Sequence, residues 1–208
     1  VKKKEVVKVY AEGGGSGAGS SDLQSELRQG FADFFAKTDL GKMRRPRVVA
    51  CGGREQALDM FRTAVKNGEN ALLLVDSETK VTADDFGKPW RHLKTQAGWE
   101  QPDEATDDDA HLMVQCMENW FLADQDAVEK FFGQGFRRAD LPHGKIEEIA
   151  KKDALTALQT ASKDCKSKGT YGKGPHSFKL LGQLDPVKVK EGSDWADRFI
   201  KELEKRKK

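Results

Sequence analysis

Three short apolar runs, separated by stretches with helical periodicity, limit this chain more than any other feature. The first, Val6-Val7-Lys8-Val9-Tyr10-Ala11, leads into Glu12 and the turn Gly13-Gly14-Gly15. The second, Val48-Val49-Ala50-Cys51, meets Gly52-Gly53, and the third, Ala71-Leu72-Leu73-Leu74-Val75, ends in Asp76-Ser77-Glu78. Strands that are apolar almost throughout belong in a parallel sheet covered by helices on both faces. Between them, Leu23, Leu27, Phe31, Phe34 and Phe35 recur at helical spacing behind a Ser21-Asp22 cap. Ala57, Leu58, Phe61 and Val65 do the same behind Arg54. The order is β-α-β-α-β, with strands at 5–11, 47–51 and 71–75 and helices at 21–37 and 54–66.

Residues 79–109 are polar and broken by Gly87, Pro89, Gly98 and Pro102, which predicts a long loop or lid holding Trp90 and Trp99. The run from His111 to Cys116 reads as a fourth strand entering a helix at Met117, with one long helix from Asp107 as the alternative. Helices are expected over 126–132, 152–163, 176–184 and 194–204, the last capped by Ser193, with a glycine-lysine loop at 166–175. The whole predicts one α/β domain over 1–208, with a core at 1–124 and a mainly helical part at 125–208.

Composition narrows the class. The chain is 37% hydrophobic and 34% charged, with no apolar run near the roughly 18 residues of a membrane span. A strand pattern, not a secretory core, follows the basic residues 2–4, so a cytoplasmic protein is expected. Cys51, Cys116 and Cys165 form no CxxC pair, which argues against a disulfide framework or thiolate zinc site. The net charge of +2 neither demands nor excludes nucleic acid. Basic residues do gather at Lys42, Arg44, Arg45 and Arg47, along 163–179 and at 205–208, and each run also reads as a solvated face.

Chemistry points to the acids. Glu12, Asp76, Glu78 and Glu118 each follow an apolar, strand-like run, and a parallel sheet would bring such residues to one edge. Clustered carboxylates repel, so they either cap the following turns or share a cation, and oxygen-only donors favour Mg²⁺ or Mn²⁺. The run Gly13-Gly14-Gly15-Ser16-Gly17 lacks the lysine of a phosphate loop and the GxGxxG spacing. Lys173 and His176, set between glycines, are either phosphate-facing groups or parts of a linker, and Arg54 at a helix start either meets an anion or forms a surface pair. Trp120 and His111 read as core residues. No GxSxG elbow is present.

A strand ending in Glu12-Gly13 and a later one ending in Asp76-Ser77-Glu78 resemble the Toprim core of topoisomerases, primases and OLD-type nucleases, with Glu78 where that pattern has Asp. Longer strings extend the likeness: VYAEGG (9–14), RVVACGGR (47–54), LLVDSE (73–78), AHLMVQCMENWFLAD (110–124) and KGPHSF (173–178). Together they resemble a Toprim-like bacterial family of unknown function encoded beside ABC/AAA-type ATPases in restriction and phage-defence loci. The Glu118-Asn119-Trp120 segment is similar to Glu-Asn-Tyr in OLD-like nucleases, and Lys173 to a late lysine of theirs. The resemblance implies a metal-dependent nuclease in a hetero-oligomeric complex with an ATPase and nucleic acid. It implies Glu12, Asp76, Glu78 and Glu118 around Mg²⁺ or Mn²⁺ with Lys173 beside them, and the nuclease reading then turns Lys173, His176 and Arg54 towards phosphate. A non-catalytic sensor subunit is the alternative, and primase-type nucleotidyl transfer ranks last.

Overall fold

A computed structural model describes residues 6–15, 17, 20–42 and 45–207. Residues 2–5, Ser16, Arg44 and Lys208, which entered the expectations above, lie outside the described residues. Four parallel strands make the sheet: β1 (Lys8–Ala11), β2 (Arg47–Ala50), β3 (Ala71–Asp76) and β4 (Ala110–Met113), in the order β2-β1-β3-β4. Helix α1 (Ser20–Ala36) links β1 to β2, and α2 (Arg54–Lys66) links β2 to β3. The chain thus steps outward from β1, then crosses back over it. Crossovers share one hand, so this reversal puts successive helices on opposite faces.

The side chains follow. Val9, Ala11, Leu72 and Leu74 point to a core with Phe31, Phe34 and Phe35 of α1, whereas Tyr10, Leu73 and Val75 point to one with Leu58 and Phe61 of α2. The first core also takes in α4 (Met117–Ala123), α5 (Gln125–Phe132), α6 (Lys151–Ser162), α7 (Lys173–Leu181), α8 (Pro186–Gly192) and α9 (Asp194–Lys207). Trp120, fully buried, stacks on Phe34 with centroids 5.8 Å apart. Buried His111 lies against Phe199, so both were core residues as expected. Among the described residues, no helix is long and apolar enough to cross a membrane.

Three expectations change. Residues 79–109 are not a lid: Pro89–Ala97 forms α3, and Trp90 and Trp99 are buried in the second core. Pro89 opens that helix, and left-handed Gly98 (φ 69°) closes it, so the apparent breakers are its ends. The segment after Asp107 is strand β4 and then α4, which removes the long-helix alternative. Helix α7 begins at Lys173, inside the expected loop, and tolerates Pro175 because a first-turn residue has no intrahelical N–H bond to lose.

One glycine sets how α7 approaches the sheet. A Cβ on Gly30 of α1 would lie 2.3 Å from the Phe178 carbonyl oxygen of α7, so the helix backbones touch there. Alanine normally stabilises a mid-helix glycine site by about 1 kcal/mol. Here overpacking reverses the sign, and Gly30→Ala is expected to lower Tm by roughly 5 °C in thermal melts. An unchanged or raised Tm would mean that this contact is slack.

Candidate metal centre

Because β1 lies between β2 and β3, connections leave its carboxyl end and that of β3 in opposite directions. That switch point opens a crevice where ligands of α/β sheets bind. Glu12 follows β1, its N–H donating to the Leu74 carbonyl at 3.0 Å, and Asp76 closes β3. Beyond Glu12 the chain turns away sharply. Gly13 and Gly52 exchange two hydrogen bonds of 2.8 Å, and a Cβ on Gly52 (φ 79°) would lie 2.7 Å from the Gly15 carbonyl oxygen. Two glycine turns pressed together leave the Glu12 carboxylate at the edge of a cavity of about 250 Å³.

Asp76, Glu118, Lys173 and Ser177 line the same cavity. One carboxylate oxygen each from Glu12, Asp76 and Glu78 lies within 4.8 Å of the others. The Asp76 N–H donates to Glu12 Oε2 (3.2 Å), and the Met117 N–H, at the start of α4, donates to Asp76 Oδ1 (3.0 Å). Lys151 Nζ donates to Asp76 Oδ2 (3.1 Å) and Glu78 Oε1 (2.7 Å). Glu78 takes up a left-handed conformation (φ 66°), unusual for a side chain of its size, and its N–H donates to the Gln115 carbonyl at 3.0 Å.

Glu118 is fully buried. Its Oε1 accepts from the Tyr171 hydroxyl at 2.8 Å, and that hydroxyl also lies 2.8 Å from Ser177 Oγ. Its Oε2 has no hydrogen-bond partner, with the half-exposed Lys173 ammonium 3.4 Å away. A buried acceptor without a donor is rare in a folded protein.

Burial, and next the charge of Glu12, push Asp76 up to about 7 against the pull of Lys151. Burial also raises Glu12, with Glu78 adding to the effect and the Asp76 N–H opposing it. Burial disfavours the Lys151 charge, but Asp76 and Glu78 more than offset this and hold its pKa above the usual lysine range. Burial and then Glu118 raise Tyr171, keeping its hydroxyl a donor. A carboxyl that titrates at about 7, as Asp76 does, gives its proton up to a cation. The oxygen-only donors, and a Glu118 Oε2 that faces the Lys173 ammonium without a hydrogen bond, fit a hard ion such as Mg²⁺ or Mn²⁺.

The structure therefore brings together Glu12, Asp76, Glu78, Glu118 and Lys173. It does not bring His176 to them: its Nδ1 accepts from the Gly172 N–H (2.9 Å) and its Nε2 lies 3.1 Å from the Lys168 carbonyl oxygen. Packed beside Phe131, Phe132 and Tyr171, and with its pKa lowered by burial, it braces its own loop. Arg54 does not line the cavity, although its charge acts on Glu12; its guanidinium lies 4.6 Å from the Trp99 ring centroid, with Nε and Nη2 buried without hydrogen-bond partners. Sequence reasoning missed Lys151, Tyr171 and Ser177. Tyr171 and Ser177 flank the glycine-lysine motif and were open to notice, whereas nothing separates Lys151 from its exposed neighbour Lys152.

A family model, described as "Domain of unknown function (DUF4276)", matches residues 18–204, a span that begins after Glu12. No curated protein and no solved structure matches the chain.

The Asp76 shift has a signed consequence. Its carboxyl titrates at 3.8 when unfolded and at about 7 when folded, so between these values the native state holds the extra proton. Stability from this group is therefore present at low pH and lost as pH rises from about 4 through 7. In EDTA, Tm is expected to fall across that window by about 5 °C, less steeply in Asp76→Asn, with Mg²⁺ restoring it at pH 7–8. Parallel wild-type and variant profiles would contradict the assignment.

Proposed function

The chain belongs to the DUF4276 family, and we propose that this member is a divalent-metal-dependent nuclease cleaving phosphodiester bonds in DNA or RNA. The observation that carries this reading is the convergence of acids at the sheet's switch point: Glu12 and Asp76 group with Glu78 and, with Glu118, line a cavity that Lys173 also lines. The Toprim resemblance supports the same chemistry and extends it to an effector role in an ATPase-gated anti-phage complex. Mg²⁺ or Mn²⁺ held by these carboxylates would supply a Lewis acid for the phosphate and acidify a bound water.

The chain's own groups do the rest. Glu12, its pKa raised by burial, is suited to accept the proton of the attacking water. Lys173, half exposed beside Glu118, can swing to a phosphate oxygen, and the Arg54 charge acts on Glu12. Tyr171 holds Glu118 in place through its hydroxyl. Exposed Lys163, Lys166, Lys168 and Lys179 supply contacts to a nucleic-acid backbone without regard to sequence.

One observation favours a second reading, a non-catalytic sensor subunit of the same complex: Lys151 already neutralises part of the acid cluster. Cleavage assays in Mg²⁺ and Mn²⁺, with and without the ATPase partner, separate the two. Glu12→Gln and Asp76→Asn are each expected to lower cleavage about 10²–10⁴-fold while the chain stays folded. Full activity in both variants, or none in wild type with partner and metal present, would sink the nuclease reading.

A further inference from the structure

Asp76 divides the acidic centre into two unlike halves. On one side its Oδ2 and Glu78 Oε1 are bridged by Lys151 Nζ, and Glu78 and Lys151 line a separate surface depression. On the other, Asp76 joins Glu12, Glu118 and Lys173 around the 250 Å³ cavity, which Glu78 does not line. The most closely grouped oxygens, those of Glu12, Asp76 and Glu78, thus include the pair that Lys151 already holds.

We propose that Lys151 is a tethered cation filling one half of a two-cation centre, so that each chain takes a single divalent ion, on the Glu12–Asp76–Glu118 side. The proposal rests on the metal-centre reading above. Lys151 suits the part: it opens α6, its side chain is only 24% exposed, and it grips two carboxylates at hydrogen-bond distance. Lys173 does not suit it, being 50% exposed and 3.4 Å from one oxygen. Charge agrees. Four ionised carboxylates facing two ammoniums, with the Arg54 guanidinium also acting on Glu12, leave a net negative charge for a divalent ion to offset. On the same side Glu118 Oε2 is buried without a hydrogen-bond partner, facing the Lys173 ammonium at 3.4 Å. An ammonium donates hydrogen bonds but accepts no electron pair, so only an ion in the cavity half would act as a Lewis acid on a substrate oxygen.

Calorimetric titration with Mn²⁺ alone, with bound Mn²⁺ counted by electron paramagnetic resonance, tests this on the full chain. Wild type is expected to bind one ion, Lys151→Met two, and the double variant Lys151→Met/Glu78→Gln one. In EDTA, Lys151→Met should melt below wild type, and Mn²⁺ should close most of the gap. Two ions on wild type, or one on Lys151→Met, would overturn the tethered-cation role and leave the metal centre standing. No ion on wild type would overturn both. If Mn²⁺ fails to restore a folded Lys151→Met, Lys151 is not replaceable by a cation and the proposal falls.

Discussion

Repulsion among carboxylates gathered at one sheet edge is the constraint on which the rest of this structure depends. A charge moved out of water and left unpaired is strongly destabilising, so each acid must find a partner. Glu12 finds the Asp76 N–H, and Asp76 finds the Met117 N–H and Lys151. Glu78 shares Lys151, and Glu118 takes the Tyr171 hydroxyl. Apart from the Asp76 N–H, these partners come from α4, from α6 and from the loop before α7. The helical second half therefore does more than shield the sheet: it supplies the charge and the donors that the sheet edge requires. The close α1–α7 crossing at Gly30 belongs to the same requirement, because it sets where α7, and with it Lys173, meets the acids.

Much of the fold was legible from periodicity. Helix α2 has the boundaries its pattern predicted, and β1, β2 and β3 lie within a few residues of theirs, because each buries a continuous apolar face. Short elements held by tertiary packing were not legible. Helix α3 has nine residues and α8 seven; Pro89 read as an interruption although it opens α3, and α8, opened by Pro186, was not anticipated. Composition misled in the same way at 79–109, where two tryptophans in a polar stretch suggested a mobile cover. Their indole N–H groups instead donate to the Thr106 carbonyl and to Glu55, which fixes them inside the second core.

The site divides along similar lines. Its acids could be found because strand ends announce them, and the topology carries them to one place. Lys151 could not, since 75 residues separate it from Asp76 and only the path of the chain brings them together. His176 shows the opposite error. A histidine among glycines and lysines resembles a phosphate contact, but both ring nitrogens are engaged by the backbone around it.

The position of the cations along the chain has a consequence in time. The acids stand at residues 12, 76, 78 and 118, whereas the ammoniums that face them stand at 151 and 173. A chain leaving the ribosome thus displays its complete acidic edge before either counter-charge has emerged. Until α6 arrives, the ammonium that holds Asp76 and Glu78 is missing from that edge. The ion pairs of the centre are thus complete only when the last third of the protein is present.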